Sequence, residues 1–121
     1  MYQIEFDENA RLLTLRPSGF WDAATARRYV AEVARTVERL HRRYPRFGIL
    51  SDNRNFPVQS AEVTQAFAEA TQRDGRPHHG RTAVLSISIL STIQSKRVLD
   101  FPNLRRFTDE AEARAWLAED E

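Results

Sequence analysis

Hydrophobic and polar residues follow two different periods along this chain, and the switches between them mark out its elements. Tyr2, Ile4 and Phe6 fall on one side of an extended backbone and Gln3 and Glu5 on the other, the two-residue period of a half-buried strand. Asp7-Glu8-Asn9-Ala10 reads as a hairpin turn, and Leu12, Leu13 and Leu15 predict a second strand over Arg11 to Arg16. Pro17 ends it, because proline has no donor for the ladder, and the short separation predicts antiparallel pairing. The period then lengthens. Asp22 stands at the cap of a helix, and Ala26, Val30, Val33, Val37 and Leu40 follow at steps of four and three, a stripe that predicts a helix to near Arg43. Tyr44-Pro45 closes it, since a residue before proline is pushed toward extended backbone.

The chain is organised around Phe47-Gly48-Ile49-Leu50-Ser51-Asp52. This compact apolar run predicts a central parallel strand covered on both faces. Asp52, Asn53, Arg54 and Asn55 make its end polar, and the carboxyl ends of parallel strands are where open α/β sheets meet their ligands. Ser60 caps a helix carrying Val63, Ala66, Phe67 and Ala70, whereas Thr71 to Arg81 loses the period, includes Gly75, Pro77 and Gly80, and is predicted as loop. Thr82 to Ile89 predicts a buried strand, residues 91 to 99 a short helix capped by Ser91, and Leu104 to Phe107 a final strand. Thr108 caps the last helix, with Asp109, Glu110 and Glu112 at its positive end and Ala113, Trp116 and Leu117 on its packing face. The order β-β-α-β-α-β-α-β-α predicts an α/β fold with a mixed sheet of about five strands and four helices, one domain over residues 1–121.

Composition narrows the function. A length of 121 residues with 41% hydrophobic content suits one modest core. The absence of cysteine excludes disulfides, thiolate catalysis and thiolate metal sites and fits a reducing compartment, so a cytoplasmic location is expected. The alternation at residues 2–6 replaces the pattern of a signal peptide, and no apolar run approaches the roughly 20 residues of a membrane-spanning helix. The net charge of +1 hides a split: residues 11–46 hold nine arginines against three acids, and residues 107–121 six acids against Arg114. That split either orients a partner or joins the terminal helix to a basic neighbour within the fold. Lys96 is the only lysine, leaving one residue for Schiff-base chemistry.

The initial hairpin, the Phe20-Trp21-Asp22 entry into the first helix, the Leu50-Ser51-Asp52 strand end and the Arg106 to Leu117 pattern resemble the STAS superfamily, in particular the STAS/SEC14-like group related in fold to bacterial anti-sigma-factor antagonists. The resemblance covers nearly the whole chain and implies a STAS-like mixed sheet. In the antagonist branch the loop before the second helix carries an acid, a phosphorylatable serine, a second hydroxyl residue and glycine. Here the matching stretch is Gln59-Ser60-Ala61-Glu62. Only Ser60 keeps the pattern, and Glu62 would oppose an added phosphate that the helix start favours. The resemblance thus implies Ser60 as a modification site, whereas the residues themselves explain it as a helix cap.

Catalysis is not expected. A serine nucleophile needs a positioned base, and His41, His78 and His79 are not placed beside Ser60 by their spacing. His41 reads as a helix-surface residue. His78-His79 lacks the further ligands of a zinc site, and the glycines do not form a phosphate cradle, so neither metal nor cofactor is expected. Phe20 and Trp21 read as packing between hairpin and first helix, and Trp116 as core. Asp52, Arg54, Gln94 and Arg97 can converge as a polar cleft after neighbouring strands, and Phe56, Gln59 and Ser60 extend the same binding loop. The reading is a regulatory or protein-interaction domain without catalysis, open to an acidic protein partner or to self-association, with neither nucleic acid nor a membrane span. The alternative is a module for a small apolar or anionic ligand.

Overall fold

The computed structural model describes residues 1–75, 78–87 and 103–119. They build a five-stranded sheet whose spatial order equals chain order: β1 (Tyr2–Asp7), β2 (Leu12–Pro17), β3 (Gly48–Asp52), β4 (Thr82–Leu85) and β5 (Leu104–Phe107). β1 and β2 are antiparallel with Tyr2 against Pro17, and each later pair is parallel. Among the described residues three helices accompany the sheet: α1 (Ala23–His41), α2 (Ala61–Asp74) and α3 (Glu110–Ala118). The predicted mixed α/β sheet is present. The helix expected over residues 91–99 lies outside the described residues.

Side-chain alternation divides the core between the two faces of the sheet. Leu13 and Leu15 of β2 and Ile49 of β3 point toward Val37 and Leu40 of α1, with Phe47 between them. Leu12 and Leu50 point the other way, joining Ala83 and Leu85 of β4 and Ala113 of α3. β3 is therefore covered on both sides, as its unbroken apolar run requires. A third cluster joins Trp21, Ala26 and Tyr29 to Val63 and Ala66, fastening α1 to α2. Burial raises the Tyr29 hydroxyl well above its ordinary pKa.

The caps show why the helices begin where they do. The Asp22 carboxylate accepts from the Thr25 N–H at 2.8 Å, which holds its pKa below the usual range. Ser60 Oγ accepts from the Val63 N–H at 3.2 Å, as the sequence predicts. Asp109, rather than Thr108, caps α3: its carboxylate accepts from Ala111 and Glu112. An ionised carboxylate is a stronger acceptor for the free N–H groups than a hydroxyl.

Two boundaries move. α2 continues through Thr71 to Asp74, into the stretch expected to be loop, and stops at Gly75, whose N–H donates to the Thr71 carbonyl at 2.9 Å. The lost period there marks a solvent-facing last turn, not a break in the hydrogen-bond ladder. β4 ends at Leu85, short of the predicted Ile89; Ser86 remains buried and its N–H donates to the Phe107 carbonyl at 3.0 Å, whereas Ile87 has left the core.

The connection into β4 is tight. At Gly80 φ is +133°, and a Cβ there would lie 2.1 Å from the Phe47 carbonyl oxygen. Only glycine allows that approach.

Candidate functional site

Parallel pairing from β2 to β5 brings four strand ends to one side, and the antiparallel β1 begins there. The loops at that end are laced together through the backbone. The Ser18 N–H donates to the Met1 carbonyl at 2.9 Å, Gly19 to Asn55 at 3.1 Å, and Asn53 to Leu85 at 2.8 Å.

Gln59 tightens the lacing. Its Oε1 accepts from the Trp21 N–H at 2.9 Å, and its Nε2 donates to the carbonyls of Gly19 at 2.9 Å and Pro57 at 2.7 Å. Buried amides are stable where such backbone partners satisfy them. Trp21 packs against Phe56 at 4.7 Å between ring centroids, stacks on Phe67 at 5.6 Å, and meets Tyr29 at 5.0 Å and Tyr2 at 5.7 Å. Its indole N–H donates to the Ser18 carbonyl at 2.9 Å. Gln59 and Phe56, both predicted as binding residues, thus brace the loops from below.

The exposed large hydrophobic residues of the described chain are Met1 (86% exposed), Phe20 (80%), Val58 (42%) and Ile87 (71%), and all four belong to this end of the sheet. Phe20 is not packed between hairpin and helix as expected; Gly19, with φ +78°, turns the chain so that Trp21 goes in and Phe20 goes out. A motif reading of Phe20-Trp21 as a pair conceals that division.

Charged groups stand at the same end of the sheet. Arg54 grips the buried Asp52 carboxylate with two bonds of 2.9 Å and reaches Glu110 at 2.7 Å, while Arg16 lies 3.8 Å from Asp52. The Arg54 guanidinium holds Asp52 below the ordinary carboxylate range, and Arg114 and then Arg54 do the same for Glu110. Asp52 and Arg54 therefore meet. Gln94 and Arg97, the other half of the expected cleft, lie outside the described residues. Ser60 is exposed beside buried Gln59 with its hydroxyl engaged at the helix cap.

Because Asp52 titrates below its ordinary value of 3.8, its ion pair contributes stability above that pH and loses it as pH falls through the folded-state value. Asp52→Asn is expected to lower the urea midpoint at pH 7 and to flatten the acid limb of the stability profile. An unchanged gap between variant and parent from pH 7 to pH 3 would contradict this account of the pair.

All three histidines sit at the opposite end. His41 closes α1 and meets His78, so it is no simple surface residue. The chain has no cysteine, and among the described residues no group of three or more His, Asp or Glu is arranged to hold a metal ion. No described helix is long and apolar enough to cross a membrane.

The fold has relatives among solved structures. The chain is similar to the crystal structure of an uncharacterized protein from Shewanella loihica, of the DUF3478 family and with a SpoIIAA-like fold. The likeness covers 98% of this chain and 93% of that one at TM-score 0.66 and 14% identity. It is also similar to the NMR structure of the protein TM1081, over 99% of this chain and 90% of that one, at TM-score 0.61 and 12% identity. Likeness at these identities shows a SpoIIAA-like fold and nothing finer. No family model matches the chain, and no curated protein matches it.

Proposed function

We propose that this chain is a non-catalytic regulatory or protein-interaction domain that docks through the carboxyl end of its parallel strands. One observation carries the reading: the exposed large apolar side chains of the described residues gather at that end, over a braced aromatic base. Scattered apolar residues need no explanation, whereas a gathered patch flanked by charge has the anatomy of an interface. The SpoIIAA-like fold supports the regulatory sense of the proposal. Self-association through the same patch belongs to the reading. Ser60 stands at this end with Arg54 and Asp52, and phosphate added to its hydroxyl would place negative charge at the edge of the docking surface.

The test is native mass spectrometry of the gently purified chain beside a Phe20→Ser, Ile87→Ser double variant. A protein complex or homo-oligomer is expected, weakened about tenfold or more in the variant, as exposed anchor residues are at interfaces, with the urea midpoint unchanged. A bare monomer from the parent, or a reproducible small-molecule adduct without protein, would overturn the reading. The second result would establish the ligand-binding alternative instead.

A further inference from the structure

The chain's three histidines, distant in sequence, meet where the α2–β4 connection crosses the end of α1. His41 Nδ1 lies 3.1 Å from the Tyr44 carbonyl oxygen, which can only accept, so this nitrogen carries the proton. In the neutral ring Nε2 is then an acceptor. It receives the His79 backbone N–H at 3.1 Å and faces His78 Nδ1 at 3.0 Å, which must therefore donate. That leaves His78 Nε2 without its proton, buried and without a hydrogen-bond partner. With both rings neutral, one arrangement of protons satisfies these contacts.

The rings also cover Phe47. Its ring lies 4.4 Å from that of His41 and 4.7 Å from that of His78, and its backbone N–H reaches the His79 carbonyl at 3.4 Å. A proton on His41 Nε2 removes the acceptor of the His79 backbone N–H, which has no other tautomer to adopt, and sets the two N–H groups against each other. A proton on His78 places a charge among apolar neighbours. We propose that His41, His78 and His79 form a proton-operated clasp, which fastens residues 78–79 to the end of α1 when neutral and releases them, uncovering Phe47, when either ring is protonated.

The surrounding charges favour this response. Burial first, then His41 and His79, oppose a charge on His78 and push it down to about 4, against a smaller favourable contribution from the Phe47 backbone. On the neighbouring turn, Glu8 is engaged by the Tyr44 hydroxyl at 3.0 Å and by Arg43 at 3.5 Å. Arg42 is drawn to Glu38 at 3.6 Å, and Arg11 lies over the Tyr44 ring. Since the unfolded ring binds its proton near 6.5 and the folded one near 4, stability is lost as pH falls across that window and changes no further below it.

Amide hydrogen exchange by NMR on the intact chain, corrected for intrinsic rates, tests the clasp. Between pH 7.5 and pH 4.5 the protection of the His79 amide is expected to fall at least tenfold while that of Leu50, in the central strand, holds. His41→Gln together with His78→Gln removes both titrating rings while keeping acceptors at both positions, and the pair is expected to flatten the His79 response. Constant protection at His79, an equal fall at Leu50, or the parent's response surviving in the double variant would overturn the proposal. Imidazole nitrogen shifts of the parent at pH 7.5 give a readout that needs no variant: Nδ1–H on both His41 and His78 is expected, and Nε2–H on His41 would also overturn it.

Discussion

Trp21→Ala is expected to cost about 3–5 kcal/mol of folding stability, the range for emptying a buried indole site. The ring is buried against Tyr2, Tyr29, Phe56 and Phe67, so its removal leaves a cavity walled by four aromatic residues on separate elements. The loss extends past packing. The indole N–H bond to Ser18 disappears, and the Gln59 amide, which ties Trp21, Gly19 and Pro57 together, loses the packed ring beside it. The same change one residue earlier, Phe20→Ala, should move stability by less than about 0.5 kcal/mol, because that ring faces water. Urea unfolding with matched slopes measures both. A cost below about 1 kcal/mol at Trp21, or equal costs at the two positions, would refute the division of labour assigned to them.

Gly80→Ala carries the second large effect, expected at about 2–4 kcal/mol from unfavourable backbone geometry and steric overlap together. The new Cβ would sit 2.1 Å from the carbonyl oxygen of Phe47, a backbone atom fixed in position beside β3, so no side-chain rotation relieves the clash. Gly19→Ala supplies the comparison. There φ is +78° but nothing lies within 4 Å of the added carbon, so only the intrinsic cost of left-handed backbone remains, about 1–2 kcal/mol. Equal midpoints for the two variants would show that the β4 connection does not approach Phe47 as closely as described.

The fold was legible where one rule governed each stretch. Two-residue alternation marked β1, a three-and-four stripe marked α1, and an unbroken apolar run marked β3 as doubly covered. The boundaries that moved were places where hydrophobic pattern and hydrogen bonding part company. Thr71 to Asp74 are polar yet helical, because the last turn of a surface helix has water on most sides. Ile87 is apolar yet exposed, because β4 ends two residues before it. For the site, the polar end of β3 could be anticipated from the run Asp52 to Asn55. The reach of Arg54 to Glu110, 56 residues away, could not. Nor could the meeting of His41 with His78, since a crossing of two connections leaves no periodic trace in sequence. Phe20 and Trp21 show the limit most plainly: adjacent aromatic residues with opposite fates, set by the glycine-turned backbone that precedes them and that composition does not reveal.

A sheet whose strand order repeats the order of its chain has a consequence for synthesis. The cluster of Leu13, Leu15, Val37, Leu40, Phe47 and Ile49 has all its members once the first 49 residues exist. The Trp21 cluster waits for Val63 and Ala66, and the opposite face waits for Ala113. No late strand has to be inserted between earlier ones. As the polypeptide leaves the ribosome from its amino end, each new segment can therefore add to a completed edge, and the nascent chain can close its cores one after another in the order in which they are translated.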